Sequence, residues 1–219
     1  MRTIRVTGKG NLKLRPDVTR IGISLEGVYP EYGEALRRSS EDTEALKDLL
    51  GGFGFERSDL KTLHFSVNTE FEGFDDHGVY KQRLIGYRFR HEMKVEFPSD
   101  NELLGRLLYA LAHSALGPEF RLSYTVSDPE KAKNELLGKA VTDAREKADL
   151  LTRAAGVTLK EIRSIDYAWG EIRFEARPMD RMLAAEGMRK SMAAERFDVD
   201  IEPEDIQVSD TVTVLWEIE

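Results

Sequence analysis

The chain has 219 residues, of which 41% are hydrophobic and 33% charged, a balance typical of soluble globular proteins with a real core. Its formal net charge of -8 argues against a general nucleic-acid binder and against adsorption to an anionic membrane surface. Cysteine is absent, which excludes disulfides, thiolate catalysis and cysteine-based zinc sites. The N-terminal residues contain no apolar signal-peptide core, and no stretch approaches the ~20 apolar residues of a transmembrane helix. We therefore expect a cytoplasmic protein, unless an export signal has been removed.

Alternation of apolar and polar residues predicts two strands at the start of the chain. The first covers residues 2–9 and the second residues 18–28, with Pro16 and Asp17 at the entry to the second. Gly8 and Gly10 are expected to loosen the chain after the first strand.

A helix is predicted after Pro30, because apolar residues recur at helical spacing until Gly51 and Gly52 end it. Its apolar face consists of Ala35, Leu36, Ala45, Leu46, Leu49 and Leu50. That face is interrupted around residues 37–44, so we expect the first half of the helix to lean outward.

Two strands rich in β-forming residues follow, at residues 60–74 and 79–97, separated by a turn over residues 73–78. They predict a long hairpin that projects from the body of the protein. A helix capped by Ser99 or Asp100 comes next, and a short strand at residues 120–126 completes this region.

From residue 18 to residue 127 the predicted order is therefore strand, helix, strand, strand, helix, strand. This order is that of the split βαβ, or ferredoxin-like, arrangement, which has two helices on one face of an antiparallel sheet. We assign residues 18–127 to one ferredoxin-like unit that carries the long hairpin.

The longest predicted helix covers residues 128–155. Ser127 or Asp128 can cap it, Pro129 suits its first turn and Gly156 can end it in the left-handed conformation. The predicted apolar seam consists of Leu137, Val141, Ala144, Ala148, Leu151 and Ala155, and its alanines allow close approach of a partner element. A sheet of the same chain or a second subunit can fill that role.

Residues 1–17 and 128–219 are assigned to a second, smaller α/β unit built around this helix. Ile162, Ile165 and Tyr167 predict one strand, and residues 206–218 predict the last. Residues 171–200 are rich in charge and alanine and hold four of the six methionines, so we expect a mobile or marginally helical excursion. The predicted fold class is α+β.

Four blocks in this order resemble the SIMPL-domain family. They are Ile4-x-Val6-x-Gly8-x-Gly10 with Pro16-Asp17; Ile85-Gly86-Tyr87; Ala140, Asp143-Ala144, Lys147-Ala148, Leu151 and Ala155-Gly156; and Ile201-x-Pro203-x-x-Ile206-x-Val208 before Val212 and Val214. Together these blocks span nearly the whole chain.

The resemblance implies an α+β fold, often in two parts. Known members of the family include exported bacterial proteins, a periplasmic immunogen among them, and some members assemble into large rings or channel-like oligomers. Others are linked to oxidative stress, and a eukaryotic branch acts as a kinase-associated signalling adaptor. The family supplies no catalytic residues that could be transferred to this chain.

Two groups of residues invite a chemical interpretation. His64 and His91 lie on the predicted hairpin strands and could approach each other, while Asp75, Asp76 and His77 occupy its turn. Metal or acid–base chemistry needs a third, rigidly held partner, and the turn offers too few oxygens for a hard cation. We predict no catalytic residue, no cofactor and no metal site.

The favoured function is non-enzymatic: self-assembly or binding of a protein partner, with a connection to stress tolerance. We expect a homo-oligomer, with another protein as the alternative partner, and neither nucleic acid nor a membrane span. Two alternatives stay open: a hydrolase or small-molecule-binding enzyme with a pocket between the two units, and a signalling adaptor. The candidate contact residues are Phe71, Phe74, Tyr80 and Tyr87 on the hairpin, and Met179, Met182 and Met188 in residues 171–200.

Overall fold

A computed structural model describes residues 2–77, 79–167, 172–176 and 201–219. The predicted contact residues Met179, Met182 and Met188 lie outside these described residues. The chain divides into two compact units, which we call the central unit (Val18–Tyr124) and the terminal unit (Met1–Asp17, Thr125–Ala176 and Pro203–Glu219).

The described elements are eight strands and three helices. In chain order they are β1 (Arg2–Leu14), β2 (Val18–Tyr29), α1 (Tyr32–Gly51), β3 (Lys61–Asp76), β4 (Val79–Pro98), α2 (Asn101–His113), β5 (Glu119–Thr125), α3 (Pro129–Ala155), β6 (Leu159–Asp166), β7 (Glu175–Ala176) and β8 (Ile206–Ile218). The fold class is α+β, as the sequence predicts. No helix among the described residues combines the length and the apolar character that crossing a membrane requires.

In the central unit the strands lie in the order β3-β4-β2-β5, and β4 pairs antiparallel with both of its neighbours. This is the strand order of a split βαβ unit, because β4 is inserted between two strands that a helix connects. Ile21, Ile23 and Leu25 on β2 meet Leu46 and Leu50 of α1 in a core that the helices close on one face.

The first half of α1 packs against the sheet, contrary to the expectation that it leans outward. Ala35 and Ser39 are buried along with Leu46 and Leu50, whereas Leu36 is exposed. Ser39 continues the buried row that Ala35 begins four residues earlier. A small hydroxyl residue can occupy such a position, so a count of apolar residues alone misses this half of the face.

In the terminal unit, β8 lies between β1 and β6 and pairs antiparallel with both. Helix α3 packs over β1 and β8. The core between them contains Val6, Val212, Val214 and Trp216 from the strands and three alanines of the helix.

Gly8 and Gly10 do not loosen the chain that follows the predicted strand, because β1 continues without interruption from Arg2 to Leu14. A Cβ atom at Gly8 would lie 2.0 Å from the carbonyl oxygen of Ala140, and one at Gly10 would lie 2.1 Å from that of Leu136. The two glycines are therefore the positions at which the backbone of α3 crosses directly over β1.

The buried row of α3 differs from the predicted seam. It consists of Ala132, Leu136, Ala140, Ala144, Ala148 and Thr152 at constant spacing of four. Leu151 and Ala155 are exposed. The alanines face a sheet of their own unit, which answers the question of what they pack against.

The predicted ends of α3 are confirmed. The Asp128 side chain accepts a hydrogen bond from the backbone N–H of Lys131 (2.8 Å), and Gly156 has the left-handed conformation with φ 67°. Ser127 instead donates from its hydroxyl to Asp17 (2.6 Å), which fixes the residue before the cap.

Candidate interaction surface

The β3–β4 hairpin has two halves with opposite environments. In the half that belongs to the core, Phe89 is completely buried and Met93 and Val95 are nearly so. We call residues 71–76 and 79–85 the distal hairpin; there, every side chain that the structure describes is exposed. The distal hairpin is thus a two-stranded ribbon, and none of the elements in the described part of the chain covers either of its faces.

A bulge marks the boundary between the two halves. The register shifts between Glu70, which pairs with Gly86, and Phe71, which pairs with Leu84, so that Ile85 is the inserted residue of β4. Gly86 has φ 151°, and a Cβ atom there would lie 2.3 Å from the carbonyl oxygen of Tyr29. Only glycine fits this conformation and this close approach without strain.

One face of the distal hairpin carries a strip of three large apolar residues. Phe71 (53% exposed) pairs across the strands with Leu84 (50% exposed). Two positions further along β3, the phenol of Tyr80 (71% exposed) lies over Gly73, where an added Cβ would be only 2.0 Å from the tyrosine oxygen. These residues share a face because side chains alternate along each strand.

The opposite face of the distal hairpin combines an aromatic ring with a cross-strand ion pair. Phe74 lies under the guanidinium of Arg83, 5.9 Å from its ring centroid. Arg83 also donates to the Glu72 carboxylate, from Nη2 at 2.6 Å and from Nε at 2.9 Å. This face is therefore more polar than the one formed by Phe71, Leu84 and Tyr80.

Three of the four contact residues predicted on the hairpin lie on its distal part, and the fourth lies outside it. Phe71 and Tyr80 share one face of the distal hairpin, and Phe74 lies on the other. Tyr87 is half-buried in an edge-to-face contact with Tyr32 of α1, with ring centroids 5.6 Å apart. It is placed where it stabilises the central unit.

Leu84 belongs to this surface but is absent from the predicted set. The signal that could have identified it is the alternation of Tyr80, Gln82 and Leu84, which places the three side chains on one face of β4.

Strand β3 forms the edge of the central sheet, and no strand pairs with its outer side within the part of the chain that the structure describes. It is 16 residues long and contains no proline. Leu63 and Phe65 are exposed on it, in addition to Phe71 and Phe74. A long, apolar edge strand of this kind is a template for pairing with another chain.

His91 is a satisfied core residue that joins three elements. Its Nδ1 atom lies 3.0 Å from the hydroxyl oxygen of Thr43 on α1, and its Nε2 atom lies 2.8 Å from the hydroxyl oxygen of Thr62 on β3. Because the Thr43 hydroxyl gives its proton to the carbonyl of Ser39 at 2.7 Å, it must accept from Nδ1–H. Nε2 then accepts from the Thr62 hydroxyl, which assigns the neutral Nδ1–H tautomer.

Burial, and secondly the charge of Lys47, lower the pKa of His91 below its usual 6.5. His64 does not approach it, because His64 pairs with Glu92 and Phe65 pairs with His91, which places the two histidines on opposite faces of the sheet. Among residues 2–77, 79–167, 172–176 and 201–219, no three His, Asp or Glu side chains converge as metal ligands.

Charged side chains line the solvent face of the central sheet. Arg88 holds Glu70 through two hydrogen bonds, of 2.9 and 3.0 Å, and lies 3.5 Å from Glu26. The hydrogen bonds from Arg88 lower the pKa of Glu70. Such cross-strand pairs are a normal way to solvate an open sheet face, so they do not require a catalytic role.

A shallow cleft of about 460 Å³ in the terminal unit is lined by Ile165, Asp166, Tyr167, Thr211 and Thr213. The Tyr167 hydroxyl donates to Asp210 at 2.8 Å, and this hydrogen bond raises the pKa of Tyr167.

The acid–base pair on α3 has a structural role: Asp143 accepts from Lys147 (2.7 Å) and from the backbone N–H of Lys9 on β1 (2.6 Å). That second bond satisfies a donor on an edge strand.

A sequence model of the SIMPL family, described as a protein of unknown function (DUF541), matches residues 4–216. The chain belongs to the SIMPL family. It is also similar to the 26 kDa periplasmic immunogenic proteins of Brucella melitensis and Brucella abortus, each 27% identical over 220 residues. In both cases the similarity covers 98% of this chain and 84% of the relative.

These relatives bear on the expected location but not on the expected activity. Both are named as periplasmic, so the comparisons lend no support to a cytoplasmic location. The family description assigns no reaction. Assembly, partner binding and a connection to stress therefore remain hypotheses for this SIMPL protein.

Proposed function

We propose that this SIMPL protein is a non-enzymatic, self-assembling protein that associates through the β3–β4 hairpin. The observation that carries the proposal is the apolar strip on the distal hairpin, where the exposed side chains of Phe71, Leu84 and Tyr80 share one face. Exposed apolar residues that adjoin one another, unlike isolated ones, are typical of association surfaces.

The edge of the sheet supports the same proposal. An unpaired strand offers main-chain donors and acceptors, and its alternate side chains add specificity. The edge strand β3 and the apolar strip are continuous, because Phe71 belongs to both. A second copy that engages one can therefore cover the other at the same time.

The location we propose is the periplasm of a bacterial envelope. The support is the printed name of the two Brucella relatives, which match nearly the whole of this chain. Fractionation of the native cell tests this point independently of assembly: recovery in the cytoplasmic fraction alone would contradict it. An enzyme with a pocket between the units and a signalling adaptor stay alternative predictions, and a connection to stress tolerance remains part of the favoured hypothesis.

Light scattering coupled to size-exclusion chromatography tests the assembly. We expect the full chain to elute as a closed oligomer, and the double variant Phe71→Ser/Tyr80→Ser to dissociate toward the monomer. Leu150→Ser is the matched control, because Leu150 on α3 is 69% exposed but lies outside the hairpin. A wild-type monomer at all concentrations tested, or equal dissociation of both variants, would refute the proposal.

A further inference from the structure

We propose that two copies of the chain pair through β3 itself, antiparallel and with Asn68 of one copy opposite Asn68 of the other. This inference rests on the proposed self-assembly and specifies its register. It concerns residues 64–72, which we call the pairing segment. The resulting contact would have twofold symmetry, with the same surface used by both copies.

The backbone geometry of β3 permits this pairing. The inserted residue Leu63 lies just before the pairing segment, and the later bulge inserts Ile85 into β4, not into β3. From His64 onward, β3 therefore runs without an extra residue. The nine residues of the pairing segment span about 30 Å of uninterrupted edge, at ~3.3 Å per residue.

The side chains of the pairing segment complement one another when it is reversed about Asn68. Phe65 of one copy then lies opposite Phe71 of the other, and His64 lies opposite Glu72. Each of these matches occurs twice because of the twofold symmetry. Aromatic pairs and polar pairs of this kind are the units that stabilise neighbouring strands.

In this register, the two residues of each pair also lie on the same face of the sheet. Phe65 and Phe71 both lie on the helix side of β3, the side on which Phe65 pairs with His91. His64 and Glu72 both lie on the opposite, solvent side. Residues that lie opposite each other in an antiparallel pair must share a face, and this register satisfies that condition.

Neighbouring registers of the two β3 strands do not form the Phe65–Phe71 and His64–Glu72 pairs. A shift by one residue places the helix side of one copy against the solvent side of the other. A centre at Val67 places Phe65 opposite Thr69, and a centre at Thr69 places it opposite Gly73, so that the phenylalanine pair disappears in both. Centring on Asn68 alone combines the aromatic pair with the His64–Glu72 pair.

Cross-linking through a single cysteine tests the register, because the wild-type chain contains none. In Asn68→Cys, the new thiol is expected to lie opposite its own copy, within the ~4.4–6.8 Å Cα separation that a disulfide needs. Ser66→Cys is the control on the same face: Ser66 would lie opposite Glu70, so its two copies are about 13 Å apart at ~3.3 Å per residue. Thiol titration of the reduced proteins verifies that both cysteines react.

We expect mild oxidation to convert Asn68→Cys into a covalent dimer and to leave Ser66→Cys largely monomeric on a denaturing gel. Equal cross-linking of the two variants would overturn the register. Absence of cross-linking in Asn68→Cys, while the wild type still assembles, would overturn it as well but leave the proposed assembly intact. A monomeric wild type would overturn both.

Charge reversal provides a second test that needs no cysteine. Glu72→Lys is expected to weaken the assembly, because the carboxylate opposite His64 is lost. Adding His64→Glu is expected to restore the assembly, because the two positions then carry opposite charges across the contact. Loss of the Glu72–Arg83 pair within the hairpin is common to both variants, so only the restoration reports the contact between copies. Failure of the double variant to recover would contradict the register.

Discussion

The two halves of the β3–β4 hairpin differ in what covers them and not in their sequence pattern. Phe89 and Phe71 both lie on strands along which apolar and polar residues alternate. Phe89 is nevertheless completely buried, whereas Phe71 is 53% exposed. The difference arises because Phe89 packs in the core to which α1 and α2 contribute, whereas Phe71 lies beyond the bulge and outside that core. Alternation therefore predicts a strand and its faces, but it does not predict which face finds a partner within the chain.

The largest expected effect is the difference in the free energy of unfolding between alanine variants of these two phenylalanines. Phe89→Ala should lower the free energy of unfolding by ~3–5 kcal/mol, because it leaves a cavity in the core of the central unit. Phe71→Ala should change it by no more than ~0.5 kcal/mol, because the side chain is at the surface. Urea denaturation under conditions that keep the protein monomeric measures both. Similar losses in the two variants would show that the distal hairpin is covered.

The next effect concerns the boundary between the halves. Gly86→Ala should destabilise the protein by ~1–3 kcal/mol, because the added methyl group would meet the Tyr29 backbone and the residue would keep a positive φ. Gly138→Ala is the control: this glycine is exposed on α3 with no atom within 4 Å of the added Cβ, so the change should stabilise by ~0.5–1 kcal/mol. Thermal unfolding of the two variants should shift in opposite directions. A neutral Gly86→Ala would mean that β4 can straighten at the bulge.

The ends of α3 show what local chemistry allows a reader of the sequence to predict. Asp128, Pro129 and Gly156 each act within a few residues of their own position, so their roles are visible without the rest of the fold. The strand order of the central unit was predictable for a related reason. Short connections between strong elements leave few topologies.

Contacts between distant segments could not be predicted in the same way. Gly8 looks like a strand breaker until α3 is placed against it, 132 residues away at Ala140 (140 − 8). The predicted seam of α3 differs from its buried row because two adjacent rows of the helix both contain alanines, and only the position of β1 distinguishes them. The candidate surface shows the same limit: Tyr87 follows the same alternation as Phe71, but its contact with Tyr32 depends on where α1 begins.

The smallest expected effect is the acid sensitivity of the core half of the hairpin. Burial lowers the pKa of His91 in the folded protein, so below about pH 6.5 the unfolded chain binds more protons than the folded chain. The stability that the neutral imidazole provides is fully present above this pH. It should decline as the pH falls from about 6.5 through the lower pKa of the folded state. His91→Gln should remove this part of the pH dependence, although it also lowers stability at neutral pH by disturbing Thr43 and Thr62.

The measurement is the urea midpoint between pH 7.5 and 5, compared with that of His64→Gln. His64 is exposed on the opposite face of β3, so its replacement should leave the slope in place. A wild-type midpoint that stays constant over this range would contradict a buried, neutral His91. If the pH dependence of the urea midpoint disappears only in His64→Gln, the acid sensitivity arises at the edge strand. It would then belong to the surface proposed for assembly and not to the core half of the hairpin.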